Sequence, residues 1–181
     1  MKKILTLGAV IALGLIAGSC TSGNPGNFQL YMTDAPIVGL EHVYITFSQI
    51  EVRKDGEDVF QPILTESTQV DLLELRDREE KIVDVDLEAG TYAAIRLTIS
   101  AAQIVYEGQT YTLTIDPPKI VTVPVSFTVG EDGTVKCVLD FDAAQSVSEN
   151  GGVFGLAPVI IVKSIGYGKP RGSNLPFTHF G

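Results

Sequence analysis

The stretch AAQIVYEGQTYTLTI, residues 101–115, decides the fold class. Apolar side chains recur at every second position on both sides of Gly108, the period of a strand with one buried face. A two-residue loop of Gly108 and Gln109, glycine first, suits a type II′ turn and sets a hairpin register. That register opposes Tyr106 to Tyr111, Ile104 to Leu113 and Ala102 to Ile115. Gln103, Val105, Glu107, Thr110, Thr112 and Thr114 fall on the other, mostly polar face. The tyrosine pair reads as the edge of a core, and a sugar-stacking platform is the alternative.

The same period runs outward in both directions. In TVKCVLDFD, residues 134–142, Val135, Cys137, Leu139 and Phe141 alternate with Lys136, Val138, Asp140 and Asp142, which places Cys137 on an apolar strand face. An inert core thiol is expected, since no His-Asp or His-Asn neighbourhood is evident to activate it. Further strands are expected at 28–33, 42–53, 58–64, 81–87, 91–100, 102–107, 110–115, 119–129 and 156–165. Turn chemistry separates them at Asp34-Ala-Pro36, Lys54-Asp-Gly56, Glu131-Asp-Gly133 and Glu149-Asn-Gly-Gly152. Only 71–80 and 142–148 carry helix-like patterning, and Asp142 is placed to cap the second of them. Many short strands with close turns predict an all-β Greek-key sandwich, transthyretin-like or immunoglobulin-like. Eighteen glycines and nine prolines fit that class.

The N-terminus has the three parts of a bacterial export signal. Met1-Lys2-Lys3 is basic, Ile4 to Ala17 is apolar and uncharged, and Ala17-Gly18-Ser19 places small residues before Cys20. The apolar run is short for a bilayer span, which takes about 20 residues. The stretch resembles the lipobox of bacterial lipoproteins, with Ala17 where leucine is most usual. The resemblance implies cleavage before Cys20, diacylglycerol on its thiol and an acylated new N-terminus. Several acyl chains anchor stably where one is marginal. A secreted protein cut near Ser19 is the alternative. With Cys20 lipidated, Cys137 has no intrachain partner and the domain has no disulfide framework.

Removing Lys2 and Lys3 takes the formal charge from −9 to −11. Such a domain is repelled by nucleic acid and by anionic headgroups, which excludes both as expected partners. Asp84-Val-Asp86 and Asp140-Phe-Asp142 put carboxylate pairs on polar strand faces. Solvation and protection of those faces is the expected role, with calcium binding as the alternative. Catalytic patterns are scarce: His42 and His179 are the only histidines, and neither sits in a zinc-ligand spacing. No GxSxG, Walker loop or dinucleotide fingerprint is present. A non-enzyme without cofactor is expected.

Four motifs occur in order: Leu30 to Pro36 (LYMTDAP), Leu87 to Leu97 (LEAGTYAAIRL), Leu139 to Asp142 (LDFD) and Leu156 to Ile160 (LAPVI). Together they resemble the domain-of-unknown-function family 4382 over about residues 28 to 163, with Glu88 where proline is usual. The resemblance implies a β-sandwich borne on bacterial lipoproteins and supplies no catalytic residues. Read locally, Asp34 is expected to hydrogen-bond its own turn, and Gly90 to supply a positive-φ turn before Tyr92.

The expected organisation is a signal peptide at 1–19, a tether at 20–27, the sandwich at 28–166 and a flexible tail at 167–181. The tail GYGKPRGSNLPFTHFG, residues 166–181, holds four glycines and two prolines, and ordering such a chain costs about 1–2 kcal/mol per residue. The expected function is a lipid-anchored cell-envelope protein displaying a binding or adhesion module, in the outer membrane where two membranes exist. A structural subunit of a fimbria or envelope assembly is the alternative. Partners are the membrane, through the anchor, and a glycan or protein ligand. Candidate ligand-binding residues are Asp34, Tyr31, Tyr44, Asp140 and Asp142, the two tyrosines forming a shared surface if their strands pair. Cys20→Ala is expected to move the protein from the detergent phase to the aqueous phase, and the intact mass of wild-type protein from membranes checks for the added lipid.

Overall fold

The computed structural model describes residues 23–34, 39–76, 78–115, 117, 119–168 and the backbone of 178–179. Cys20 and the export signal lie outside these residues. Among the described residues no helix is long and apolar enough to cross a membrane.

The protein is an all-β sandwich. Its strands are β1 (Gly26–Thr33), β2 (His42–Lys54), β3 (Gln61–Leu64), β4 (Thr68–Asp71), β5 (Glu80–Leu87), β6 (Gly90–Tyr106), β7 (Gln109–Thr112) and β8 (Thr114–Ile115), followed by β9 (Ile120–Val129), β10 (Thr134–Phe141), β11 (Val147–Asn150), β12 (Val153–Leu156), β13 (Ile160–Gly168) and β14 (Thr178–His179). One sheet has the order β14-β13-β10-β1-β5. The other has the order β3-β2-β6-β7, with β4 beside β2 and β9 beside β6. A small third sheet, β11-β12-β8, stands at one end. The chain passes repeatedly between the two large sheets, and β1 pairs with β10 in parallel.

Alternation explains which faces meet. Phe28, Leu30 and Met32 of β1, with Val135, Cys137, Leu139 and Phe141 of β10, point inward and are buried. From the other sheet come Val43, Ile45 and Phe47 of β2, Ile95, Leu97 and Ile99 of β6, and Phe127 of β9. Phe127 joins the halves: its ring stacks on Phe28 at 4.8 Å and on Tyr92 at 5.2 Å between centroids. Tyr92 is fully buried, and its hydroxyl donates to the Glu88 carbonyl at 3.0 Å. Such a bond back to the preceding corner satisfies the one polar atom that the ring carries into the core. Gly90 between them has φ +149°, as expected for the turn. Lys54 Nζ meets Glu88 at 2.6 Å over the same corner. Burial pushes the Tyr92 hydroxyl above its ordinary pKa, so it stays a donor.

Several expected boundaries shift. Residues 91–100 and 102–107 form one strand, β6, bent by an extra residue at Ser100 whose hydroxyl donates to the Thr46 carbonyl at 3.2 Å. The expected strand at 110–115 divides into β7 and β8. Residues 71–80 hold only a 3-10 turn, Leu72–Leu75, capped by Asp71. Residues 142–148 hold a single helical turn, α1 (Ala143–Ser146), and then enter β11. The hairpin register moves by two residues: Ile104 opposes Tyr111 and Tyr106 opposes Gln109. Its loop is Glu107-Gly108, with φ +50° and +70°, which is a type I′ turn rather than type II′. A slip of two keeps every side chain on its face.

At the tether's end, Gly26 and Asn27 already belong to β1, and Asn27 is buried. A Cβ on Gly26 would sit 2.3 Å from the Gly130 carbonyl oxygen, so only glycine fits there. At the other end, Tyr167 and Gly168 lie inside β13, and the backbone of Thr178 and His179 pairs with it. The remaining tail residues fall outside those described.

Tyr92→Phe keeps the stacked ring and removes one hydrogen bond. It is expected to cost about 1 kcal/mol and lower the melting temperature by about 2–4 °C. Phe127→Ala, which empties the joint between the sheets, is expected to cost about 3–5 kcal/mol. Thermal unfolding followed by circular dichroism checks both.

Candidate functional site

The end of the core at Tyr106 is open. Ile104 is buried, Tyr111 opposite it is half-buried, and Tyr106 beyond them is 36% exposed. The wall facing these tyrosines comes from the β11–β12 hairpin. Asn150 opposes Val153 across Gly151 and Gly152, whose φ values of +61° and +85° make a second type I′ turn. This hairpin carries Phe154 to within 4.9 Å of Tyr111 and 6.3 Å of Tyr106, centroid to centroid, with rings inclined by 55° and 57°. Gly39, Leu40, Glu149 and Gly152 complete a cleft of about 480 Å³. A volume of that size admits one small ligand or a side chain of a larger one.

The polar groups around the cleft are acidic. Glu149 accepts from the Gly152 amide at 2.6 Å, and Glu41 accepts from the Gly108 amide at 2.9 Å. These bonds fix both hairpin turns with carboxylates. The Tyr106 hydroxyl has its pKa raised, first by the neighbouring Glu107 carboxylate, then by burial and by Tyr111, and least by Glu149. Tyr111 donates to Gln109 at 2.9 Å. No lysine or arginine lines the cleft among the described residues.

The hairpin's aim depends on α1. Asp142 caps this turn, accepting from the Gln145 amide at 2.9 Å, as expected from its position. Asp34 reaches the same turn from the end of β1 and accepts from the Ala143 amide at 2.9 Å. The Ser146 hydroxyl accepts from the Val159 amide at 2.9 Å, and its carbonyl accepts from Ala157 at 2.8 Å. Two carboxylates and a serine therefore hold one helical turn, from which β11 leaves directly. Asp34 thus reaches a residue distant in sequence, while its own turn at 35–38 lies outside the described residues.

The other sequence candidates separate. Tyr31 lies on β1 and Tyr44 on β2; these strands do not pair and belong to opposite sheets, so the two rings form no common surface. Tyr31 holds Lys136 Nζ 4.4 Å from its ring centre, beside Lys163 and Arg78. Tyr44 stacks on His42 at 5.2 Å, and His42 Nδ1 sits 2.5 Å from Asp71. Asp140 has one buried carboxylate oxygen without a hydrogen-bond partner among the described residues. Asp84 accepts from Asn27 at 2.8 Å and from Lys81 at 2.6 Å. The two Asp-x-Asp strands, β5 and β10, are separated by β1, and among the described residues no three His, Cys, Asp or Glu side chains cluster for a metal.

The chain matches a family described as Domain of unknown function (DUF4382) over residues 25–158. It belongs to this family. No curated protein and no solved structure matches it. The DUF4382 region spans the strands from β1 through β12 and both hairpins of the cleft.

Reading the sequence missed Phe154, Leu40 and Glu149 as partners of the tyrosines. The signal for Phe154 was present: Gly151-Gly152 between VSEN and VFGL is a two-residue hairpin loop. Leu40 carries no comparable signal. Cys137 is fully buried and desolvation raises its thiol to about 12, so it holds no thiolate for nucleophilic work.

Asp34→Ala leaves the buried Ala143 amide without its acceptor and is expected to cost about 1–3 kcal/mol. Asp142→Ala removes a more exposed cap and is expected to cost about 1 kcal/mol. Denaturant unfolding of the two variants checks the order.

Proposed function

We propose that this DUF4382 protein is lipid-anchored at Cys20 in the cell envelope and presents its sandwich as a non-catalytic binding module. The ligand occupies the cleft of Tyr106, Tyr111 and Phe154. The observation that carries this reading is the exposure of aromatic surface at a core end that a third, small sheet frames rather than covers. Exposed aromatic groups in a concave site lose unfavourable hydration when a ligand covers them. The non-catalytic part rests on chemistry: Cys137 is sealed in the core, and His42 is engaged by Asp71 and Tyr44. The anchor rests on the signal, the small residues and Cys20 in sequence. With β1 beginning at Gly26, a short segment would separate such an anchor from the sandwich.

A structural subunit is the second reading. It is favoured by an apolar groove of about 470 Å³ along β9, lined by Pro117, Ile120, Val121, Ala157, Pro158 and Val159. Ile120 is 45% exposed and Ile161, on β13, is 59% exposed.

The chain from residue 20 onward, bearing Cys20→Ala, separates the two. A binding module is expected to sediment as a monomer at all concentrations and to gain melting temperature with a glycan or peptide ligand. Tyr106→Ala is expected to abolish that gain, and its circular dichroism spectrum, matching that of the parent chain, confirms that the variant folds. Concentration-dependent polymers would favour the subunit.

A further inference from the structure

We propose that the cleft receives an organic cation, the ammonium or guanidinium of a lysyl or arginyl side chain on a basic segment of a partner protein. This inference rests on the reading of the cleft as the binding site and names the chemistry of its ligand.

Three features select a cation over a neutral sugar. First, the rings do not form a flat platform. Phe154 is inclined to Tyr111 by 55° and to Tyr106 by 57°. Angled rings present several negative π-faces to one region, which suits a compact charge within about 6 Å of their centres. A pyranose ring is better served by a broad planar face.

Second, the charged groups are of one sign. Glu149 lines the cleft, and Glu107 and Glu41 both stand at the β6–β7 turn beside it, Glu107 within the turn and Glu41 on its Gly108 amide. Each carboxylate contributes acceptor oxygens only. The Tyr111 hydroxyl already donates to Gln109, and the Tyr106 hydroxyl faces the Glu107 carboxylate, which raises its pKa. The site therefore offers acceptors and π-faces and few free donors. An ammonium is the complementary object: three donors and no acceptor. A sugar hydroxyl needs both kinds of partner.

Third, the attraction extends beyond the cleft. The formal charge is −9 for the whole chain and −11 without Lys2 and Lys3. Charge of that size steers a polycationic segment from a distance and repels acidic ones. A single amine would use only the cleft, whereas a basic segment uses both the cleft and the field. That complementarity selects a protein segment as the source.

The test uses the chain from residue 20 onward with Cys20→Ala, and fluorescence polarisation of a labelled hexalysine peptide. Saturable binding is expected, weakened about tenfold by Glu149→Gln and about tenfold by Tyr106→Ala. Both residues are exposed, and matching circular dichroism spectra confirm that the variants fold. Hexaglutamate should not bind. Hexalysine binding that neither variant weakens would reveal diffuse attraction to an acidic protein and overturn the proposal. Choline binding sensitive to Tyr106→Ala, without hexalysine binding, would overturn the partner segment as the source. A neutral glycan that binds instead, with sensitivity to Tyr106→Ala, would overturn the cation and keep the cleft. Should hexalysine, choline and a neutral glycan array all fail, the cleft itself would fall as the binding site.

Discussion

The sandwich depends on how Tyr92 is held. Its ring forms one end of a stack through Phe127 to Phe28, the only aromatic stack among the described residues that runs from one large sheet to the other. Three large rings in parallel fix the distance between the sheets near their middle. A buried hydroxyl would ordinarily oppose this placement, because desolvating it without a partner costs more than the hydrogen bond contributes. The Glu88 carbonyl removes the conflict from within the same corner. Gly90 makes the corner tight enough for that reach. Leu87, at the end of β5, is buried just before it. One turn thus sets strand direction, sheet spacing and polar satisfaction together.

The four motifs of the chain find their reason at the other structural hub. Thr33 pairs with Asp140 in the parallel β1–β10 ladder, so LYMTDAP and LDFD run side by side. Asp34 and Asp142 then converge on α1, and the backbone of Ala157 and Val159, from LAPVI, binds Ser146. The remaining motif is the Tyr92 corner, whose Arg96 makes a two-point contact with Glu51 at 2.6 and 2.8 Å under the Phe60 ring. These residues build the frame. The cleft is made by the two hairpins that the frame supports. A family signature written in frame residues consequently names a fold more readily than a ligand.

What could be read in advance follows from the range of each interaction. Alternation is local, so the inward faces of β6 and β10 were legible from Ile104 and Cys137. The cap at Asp142 and the glycine turn at Gly90 are likewise decided within a few residues. The hairpin register was not, because either Glu107-Gly108 or Gly108-Gln109 makes a two-residue loop. The choice fell to a positive φ at Glu107 and to the Glu41 carboxylate on the Gly108 amide, a contact across the fold. The bulge at Ser100 escaped for the same reason: Ser100 is left over between the Thr46–Ala101 and Phe47–Ile99 pairs, which only the partner strand sets. Tyr31 and Tyr44 looked alike as outward tyrosines, and only sheet membership separates them. The cleft was half legible, with its tyrosines visible in one hairpin and its Phe154 wall in another.

The parallel β1–β10 ladder also sets a timetable. Strand β1 is flanked only by β5 and β10, and both are made long after it. During synthesis the first strand therefore exposes Phe28, Leu30 and Met32 with no neighbour to cover them. Closing so long a loop costs entropy before any ladder forms, and pairings of this kind fold in milliseconds to seconds rather than microseconds. Strand β1 gains its second neighbour only after Phe141 has emerged, which is most of the way through the chain. An unpaired β1 in that interval is a sticky edge. Maturation of this domain is thus an event of the finished polypeptide, and holding the early strand apart from other chains is a task for whatever escorts it.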